Sequence, residues 1–381
     1  MGQDFFTHLP SEMTINILSR LPARTAVHCK CVCKPWLDML ESPEFVKSHK
    51  SKAVPGLAVF EWETQSKPYK IVEFVEKLDL NSDEHRWKVV LNFDIPFNEP
   101  VHSSANGLLF LCKRGSRTGA LILCNPITRE YIKLPCPRET SSKPRLLLDS
   151  YGFGVSRMSG QYKLVRMFFE SYQARPQGVT LDKFECQVYS VGTGLWRRID
   201  SGSRLKYEEG SVGAFVNGNL HWLAVDLKCR KLRISCFDLE TELFSTFSPP
   251  PRFDSFKCRK LSVLGDCLCL CFNGVDEYTG GYEIVIWLLK EYGDERSWTK
   301  EFVICKMHSI DFLGHVYPIK VFEDGDILME WESLLHYSNK TKTIREVNVS
   351  GLGCRVISSA VIYAPSFLPL NTFAMENVSS F

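Results

Sequence analysis

The sequence predicts a small all-helical module at the N-terminus, followed by a large all-β domain. In the first 45 residues, apolar side chains recur every three or four positions behind Pro10 and Pro22, which is a helical pattern. From about Pro55 to Leu370 they alternate with polar side chains in short runs separated by turn residues, which is typical of strands. No long helical pattern interrupts this second region, so an alternating β-α architecture is excluded.

Three helices are predicted in the N-terminal module. Proline suits the start of a helix, because the N–H that it lacks would have no partner there. The first helix is therefore expected over residues 10–20 and the second over residues 22–30. A third helix is expected over residues 34–40, ending before Pro43.

The first helix carries apolar side chains on two faces. Met13, Ile17 and Leu21 are spaced by four residues, whereas Ile15 and Leu18 are spaced by three and form a second face. Modules of this size seldom bury a core of their own. The second and third helices can cover one face, so the other is expected to dock on the β domain or on another protein.

The same segment resembles the F-box, most of all its plant form. The resemblance rests on Leu9-Pro10, Glu12, Ile17-Leu18-Ser19-Arg20-Leu21-Pro22, Cys31-Val32-Cys33-Lys34, Trp36, Pro43 and Phe45. It implies that the segment binds the Skp-family adaptor of an SCF ubiquitin ligase, and through it the cullin and RING-box subunits. It also implies the residues that contact the adaptor or support the contact surface, namely Leu9, Pro10, Ile15, Leu18, Leu21, Pro22, Val32 and Trp36.

The β region contains a recurring unit of turn, strand, strand, tight turn and outer strand. Asn106-Gly107, Asn217-Gly218, Gly265-Asp266 and Asp324-Gly325 begin successive units. The later units recur at roughly 50 residues, the spacing of propeller blades. The gap between the first two is about twice as long, which indicates a blade without the marker. The region thus predicts a β-propeller of about six blades. Seven stay possible, because residues 149–198 are irregular.

A propeller must close on itself, so a strand near residues 57–62 and one near residues 356–363 are expected to share a blade. Residues 100–305 also resemble the plant F-box-associated interaction domain, a kelch-like type. The resemblance rests on Ser104–Leu109, Cys124–Glu130, Tyr151–Gly154, Val216–Trp222 and Trp298–Lys300, among others. The expected division is an F-box over residues 1–45, a linker over 46–55, the β domain over 56–370 and a tail over 371–381.

Composition narrows the classes of partner and compartment. The net charge is +2, so no broad basic field favours nucleic acid. The 15 cysteines lie largely in apolar runs, as reduced thiols of a cytosolic or nuclear protein would. Neither a signal peptide nor a membrane span is visible, and no membrane partner is expected.

No residues are predicted to bind a metal or cofactor or to catalyse a reaction. The sequence contains no Walker, H-E-x-x-H or G-x-S-x-G motif. The cysteine triplets at 29, 31, 33 and at 267, 269, 271 are interpreted as core residues, as free cysteine usually is. Asp324-Gly325-Asp326 is interpreted as a turn, and His221 and His315 as structural. A solvated linker helix is expected to carry Lys47, His49, Lys50 and Lys52.

These observations predict a non-catalytic, substrate-recognition subunit of an SCF ubiquitin ligase in the cytoplasm, the nucleus or both. The residues that bind its protein substrate are unknown. Candidates are the long loops at 135–146, 172–182 and 273–281, because binding residues concentrate on such excursions. Two alternatives stay open: a propeller enzyme with an active site in its central channel, and an F-box protein that acts outside a ligase.

Overall fold

A computed structural model describes residues 9–61, 68–75, 86–113, 119–137, 149–174, 179–200, 205–208, 210–251, 258–275, 282–305, 316–347, 349, 352, 357 and 359–381. The chain forms two compact units. The first holds the N-terminal helices, the first two β-sheets and the C-terminal residues, and the second holds the four remaining sheets.

The N-terminal region has four helices, so the prediction of three was wrong. They are α1 (Ser11–Leu18), α2 (Ala23–Cys29), α3 (Lys34–Leu40) and α4 (Pro43–Lys50). Pro10 and Pro22 immediately precede the first two helices, as expected. Pro43 was interpreted as the stop after the third helix, but it is the first residue of α4. The hydroxyl of Ser42 caps that helix by accepting from the N–H of Phe45 at 3.2 Å.

The remaining described elements are almost entirely strands, arranged in six antiparallel sheets. Sheet 1 contains β1 (Gly56–Phe60), β2 (Tyr69–Val75) and β3 (Arg86–Phe93). Sheet 2 contains β4 (Val101–Ala105), β5 (Leu108–Leu111), β6 (Leu121–Asn125) and β7 (Glu130–Leu134). Sheet 3 contains β8 (Ser150–Val155), β9 (Tyr162–Ala174), β10 (Val179–Ser190) and β11 (Trp196–Ile199).

The other three sheets follow in chain order. Sheet 4 contains β12 (Leu205–Tyr207), β13 (Ala214–Val216), β14 (Asn219–Asp226), β15 (Leu232–Asp238) and β16 (Phe244–Phe247). Sheet 5 contains β17 (Cys258–Leu264), β18 (Cys267–Val275), β19 (Tyr282–Leu289) and β20 (Trp298–Cys305). Sheet 6 contains β21 (Tyr317–Val321), β22 (Ile327–Glu330), β23 (Leu334–Ser338) and β24 (Thr343–Glu346). Short 3-10 turns occur at Glu295–Ser297 and Leu370–Thr372.

The turn markers in the sequence form hairpins. Asn106-Gly107 joins β4 to β5, and Asn217-Gly218 joins β13 to β14. All four residues have positive φ, between 47° and 85°, which Asn and Gly tolerate best and which two-residue hairpin turns require. The blade predicted to lack the marker is sheet 3, where a longer connection over residues 156–161 joins β8 to β9.

The two ends of the β region share a sheet, which confirms the predicted closure. The strand β25 (Ser359–Tyr363) pairs antiparallel with β1, so that Gly56 lies opposite Tyr363 and Phe60 opposite Ser359. The segment predicted as a tail also contributes a strand, β26 (Val378–Ser380), which pairs with β7 in sheet 2. Residues from the C-terminus therefore complete both sheets of the first unit.

The buried cores lie between neighbouring sheets of the same unit. In the first unit, Phe60 and Tyr69 of sheet 1 pack with Leu109 and Ile122 of sheet 2. In the second unit, such clusters join sheet 3 to sheet 4, sheet 4 to sheet 5, and sheet 5 to sheet 6. The alternation that predicted strands thus reflects sheets that bury their faces against each other.

The candidate substrate loops lie partly outside the described residues, at 138–148, 175–178 and 276–281. The described ends of the second candidate, residues 172–174 and 179–182, are paired strand rather than loop, because β9 and β10 form one long hairpin. Residues 273–275 of the third belong to β18. His315 also lies outside the described residues.

Candidate adaptor interface

The helical module folds around a small core of its own plus one residue from the C-terminus. Leu18, Ala23, Ala26, Leu40 and Phe45 are buried together with Phe367. The rings of Phe45 and Phe367 meet edge to face, with centroids 5.2 Å apart. This core fixes which side of each helix points outward.

Helix α4 packs into this core rather than running free in solvent. His49 is buried, with its ring 4.8 Å from that of Phe367 and 5.7 Å from that of Phe45. Burial lowers the pKa of His49, so it packs as a neutral ring. Lys47 and Lys50 are exposed, so the predicted solvated face exists, but the opposite face of the helix is structural.

Polar contacts hold α1 against the end of α4. The hydroxyl of Ser48 donates to the hydroxyl of Ser19 at 2.9 Å. The ammonium group of Lys52 donates to Ser19 at 2.7 Å and to the side-chain oxygen of Asn16 at 3.0 Å. A partly exposed ion pair of 3.0 Å between Lys30 and Glu41 links the segments after α2 and α3. These contacts orient α1.

The two apolar faces of α1 differ in their exposure to solvent. Leu18 is 3% exposed and Ile15 is half-buried against the same core. On the other face, Met13 is 54% exposed and Ile17 is 48% exposed. One face is therefore covered by the chain itself, and the other presents large apolar side chains to solvent. Val32, after α2, adds a further exposed apolar side chain at 62%.

The structure sorts the predicted adaptor-binding residues into three groups. Pro10, Pro22 and Val32 are exposed, and Leu9, Ile15, Leu21 and Trp36 are half-buried. Leu18 is buried, so it supports the surface from beneath and offers no contact area of its own. Ile15, Leu21 and Trp36 share its core.

Sequence reasoning omitted Met13 and Ile17 from the predicted site. Their four-residue spacing already placed them on a face of their own. The choice of residues followed the F-box resemblance instead, so this signal was not used. With Pro10, Pro22 and Val32 they form what we call the exposed apolar set.

Other candidates for chemistry serve the fold. His221 is fully buried and uses both ring nitrogens, Nδ1 at 3.0 Å from the carbonyl of Ala214 and Nε2 at 2.9 Å from the hydroxyl of Tyr292. Burial lowers its pKa to about 4. Asp324-Gly325-Asp326 forms the turn between β21 and β22, and Gly325 has a φ of 82°.

The cysteines of the β domain at 269 and 271 are fully buried in β18, and burial raises the pKa of the Cys269 thiol to about 12. Cys31 and Cys33 are exposed because they lie between α2 and α3, so the interpretation of these two as core residues was wrong. In the part of the chain that the structure describes, no group of three His, Cys, Asp or Glu residues is arranged to hold a metal ion. None of the described helices is long and apolar enough to cross a membrane.

Comparison with known proteins identifies the families of both regions. Residues 6–49 match the F-box-like family, and residues 70–367 match the family described as the F-box associated beta propeller domain. F-box protein CPR1 of Arabidopsis thaliana is 26% identical, with 93% of this chain and 89% of that protein covered. F-box protein At4g22390 of the same plant is 24% identical, with 94% and 90% covered.

A putative F-box/kelch-repeat protein of that plant, At3g22730, is 25% identical over 87% of this chain and 86% of its own length. Among solved structures, a chain from a study of two prolyl endopeptidases matches with a TM-score of 0.35 and 12% identity, covering 94% of this chain and 56% of that chain. This likeness is too weak to inform the fold or the activity. The two matched ranges include nearly all of the four helices and strands of all six sheets, whereas β1 and β26 lie outside them. The chain belongs to the F-box proteins that carry an F-box associated β-propeller domain.

Proposed function

We propose that this protein is the substrate-recognition subunit of an SCF-type ubiquitin ligase, acting in the cytoplasm, the nucleus or both. Its F-box would bind the Skp-family adaptor and thereby the cullin and RING-box subunits. Its β-propeller would hold a protein substrate for ubiquitination and degradation. The observation that carries the proposal is the exposed apolar set, Pro10, Met13, Ile17, Pro22 and Val32.

Exposed apolar side chains that cluster on one small module mark an interaction surface. Single apolar residues are common on protein surfaces, but Met13 and Ile17 lie one turn apart on one helix, with Pro10 at its start. Interfaces of this kind gain most of their energy from a few such anchors. The core beneath α1 fixes the backbone that carries them, so the ordering cost on binding is limited to their side chains.

The chain itself would perform no chemistry in this role. A receptor accelerates ubiquitin transfer by holding a substrate lysine near the charged ubiquitin carrier, which raises its effective concentration. Of the candidate segments, 135–146 stays proposed as a substrate contact, because its described residues 135–137 lie outside the strands. The alternative is an F-box protein that uses the adaptor only as a stabilising partner. Co-purification of the cullin distinguishes the two roles, because only the ligase subunit is expected to bring it.

The decisive experiment measures capture of the full chain by an immobilised Skp-family adaptor. Met13→Asp is expected to weaken capture at least about thirtyfold, because a charge replaces an apolar anchor. Met158→Asp is the matched control, since Met158 is an 86% exposed methionine in the second unit. In the same way, Val32→Asp is expected to weaken capture and Val303→Asp is its control, since Val303 is 42% exposed in β20.

Leu9→Ala combined with Pro10→Ala is expected to abolish capture while the β domain remains folded. Equal capture of Met13→Asp and Met158→Asp would show that the exposed apolar set does not bind the adaptor. Co-purification under proteasome inhibition then asks which protein accumulates on the receptor. Recovery of the adaptor without cullin or substrate would favour the role outside a ligase.

A further inference from the structure

A pocket of about 350 Å³ lies in the first unit, between helix α2 and sheet 1. Ala23, Val27 and Arg24 line it from the helix, and Ile71, Val90 and Leu91 line it from the sheet. The volume lies within the range of small-molecule sites in proteins. It would hold roughly ten water molecules or one small organic molecule.

The wall on the sheet side is one face of four adjacent strands, β25, β1, β2 and β3. Gly56 lies opposite Tyr363, and Ile71 lies opposite Leu91, and all four residues line the pocket. The register between β2 and β3 shifts after Ile71, which leaves Val90 as an extra residue at the pocket wall. Such bulges change the direction of side chains and are frequent beside binding sites.

One polar group behind this wall has no partner among the described residues. Tyr363 has no exposed surface, and its hydroxyl makes no hydrogen bond to the part of the chain that the structure describes. Burial, with a smaller effect of nearby Cys124, holds the pKa of that hydroxyl well above its usual value. An unsatisfied buried donor costs stability, and because this one has no exposed surface it is not a contact for a ligand in the pocket.

The charges around the pocket favour an anion. Arg24, His28 and Arg129 line it and are exposed, whereas Glu73 is the one carboxylate among the described lining residues. Val27, Ile71, Val90 and Leu91 supply apolar walls. Arginine pairs with a carboxylate through two parallel hydrogen bonds, which gives both affinity and orientation.

We propose that this pocket binds a small organic carboxylate with an apolar body. The carboxylate pairs with Arg24 and Arg129, and the body packs on the apolar walls. Because α2 and sheet 1 both line the pocket, such a ligand stabilises the packing of the F-box on the first blade.

The probe for the test is 4-benzoylbenzoate, which has a carboxylate, an apolar body, a ketone oxygen and a photoreactive carbonyl. Calorimetry on the full chain is expected to show saturable binding, with at least about tenfold weaker binding of the neutral 4-benzoylbenzamide. After irradiation, mass spectrometry is expected to find the adducts within residues 23–28, 71–73, 90–92 and 126–129.

Variants test the assigned contacts one by one. Arg129→Gln is expected to weaken binding of the probe about tenfold. Tyr363→Phe is expected to leave binding unchanged, because that hydroxyl has no surface open to the pocket. Arg230→Gln is the matched control, because Arg230 is also an exposed arginine in a turn with left-handed backbone, at φ 56° against 58° for Arg129. Adaptor capture is measured in parallel, so that loss of the fold is recognised.

Three results would overturn the proposal. One is the absence of saturable binding by 4-benzoylbenzoate, and another is adducts confined to residues outside the pocket. The third is equal weakening by Arg129→Gln and Arg230→Gln, which would make the attraction a general effect of charge. These results do not bear on the proposed adaptor interface, because no residue of the exposed apolar set lines the pocket, although Pro22 directly precedes Ala23 of its wall.

Discussion

Removing one oxygen atom from each of two buried tyrosines is expected to change the stability of the protein in different directions. Tyr69 and Tyr363 are both fully buried, and both belong to the core between sheets 1 and 2. The hydroxyl of Tyr69 donates to the carbonyl of Glu99 at 2.8 Å and accepts from the N–H of Glu99 at 3.1 Å. The hydroxyl of Tyr363 has no such partner among the described residues.

The magnitudes follow from these contacts. Tyr69→Phe removes the hydrogen bonds and leaves polar groups of the Glu99 backbone unpaired, which costs about 1–3 kcal/mol of unfolding free energy. Tyr363→Phe removes a donor that is already unpaired, so it is expected to be neutral or to stabilise by up to about 1 kcal/mol. Both substitutions keep the ring, so neither creates a large cavity.

The assay is urea unfolding followed by circular dichroism, with both variants and the unchanged chain measured side by side. A lower midpoint for Tyr69→Phe and an equal or higher midpoint for Tyr363→Phe are expected. The reasoning would be refuted by an equal loss in both variants. The hydroxyl of Tyr363 would then hold a partner such as an ordered water.

Two further predictions follow from burial. His221 has its pKa lowered to about 4, so it is neutral when folded and protonates near pH 6.5 when unfolded. The part of the unfolding free energy that depends on neutral His221 is fully present above pH 6.5 and decreases by up to about 3 kcal/mol as the pH falls toward 4. The urea midpoint should therefore fall less over this pH range in His221→Gln than in the unchanged chain. An equal fall of the midpoint in both proteins would contradict the assignment. Iodoacetamide at neutral pH should label exposed Cys31 and Cys33 long before buried Cys269 and Cys271, as read by peptide mass spectrometry. Equal labelling of Cys271 in the folded chain would contradict its burial.

Local signals in the sequence predicted most of the architecture. Asn-Gly pairs predicted hairpins because few other pairs of residues adopt two successive positive φ angles. The pairs that begin at Asn106 and Asn217 both do so. The doubled gap between them predicted a blade without the marker, which is sheet 3. The pairing of the first and last strands of the β region followed from the need to close a propeller, and the register of Gly56 with Tyr363 confirms it.

Features that depend on distant residues were not predictable in this way. Proline is common both just after a helix and at its first residue, so the sequence alone did not decide the position of Pro43. The hydrogen bond from the N–H of Phe45 to the hydroxyl of Ser42 shows that a helix begins there. The basic run predicted a solvated helix, because nothing local shows that Phe367 buries one side of His49. The bulge at Val90 and the unpaired hydroxyl of Tyr363 likewise arise from register and packing, which periodicity does not encode.

The F-box module is not independent of the rest of the first unit, because residues near the C-terminus complete its core. Phe367 enters the cluster of Leu18, Ala26 and Phe45, and the preceding strand β25 closes sheet 1. The side-chain amide of Asn125 holds this segment by donating to the carbonyls of Ser366 and Leu368. A chain that ends before this segment lacks part of both cores, since an unfilled site for a large aromatic side chain costs about 3–5 kcal/mol. The position of α1, and with it of the exposed apolar set, therefore depends on a segment that also completes the first blade.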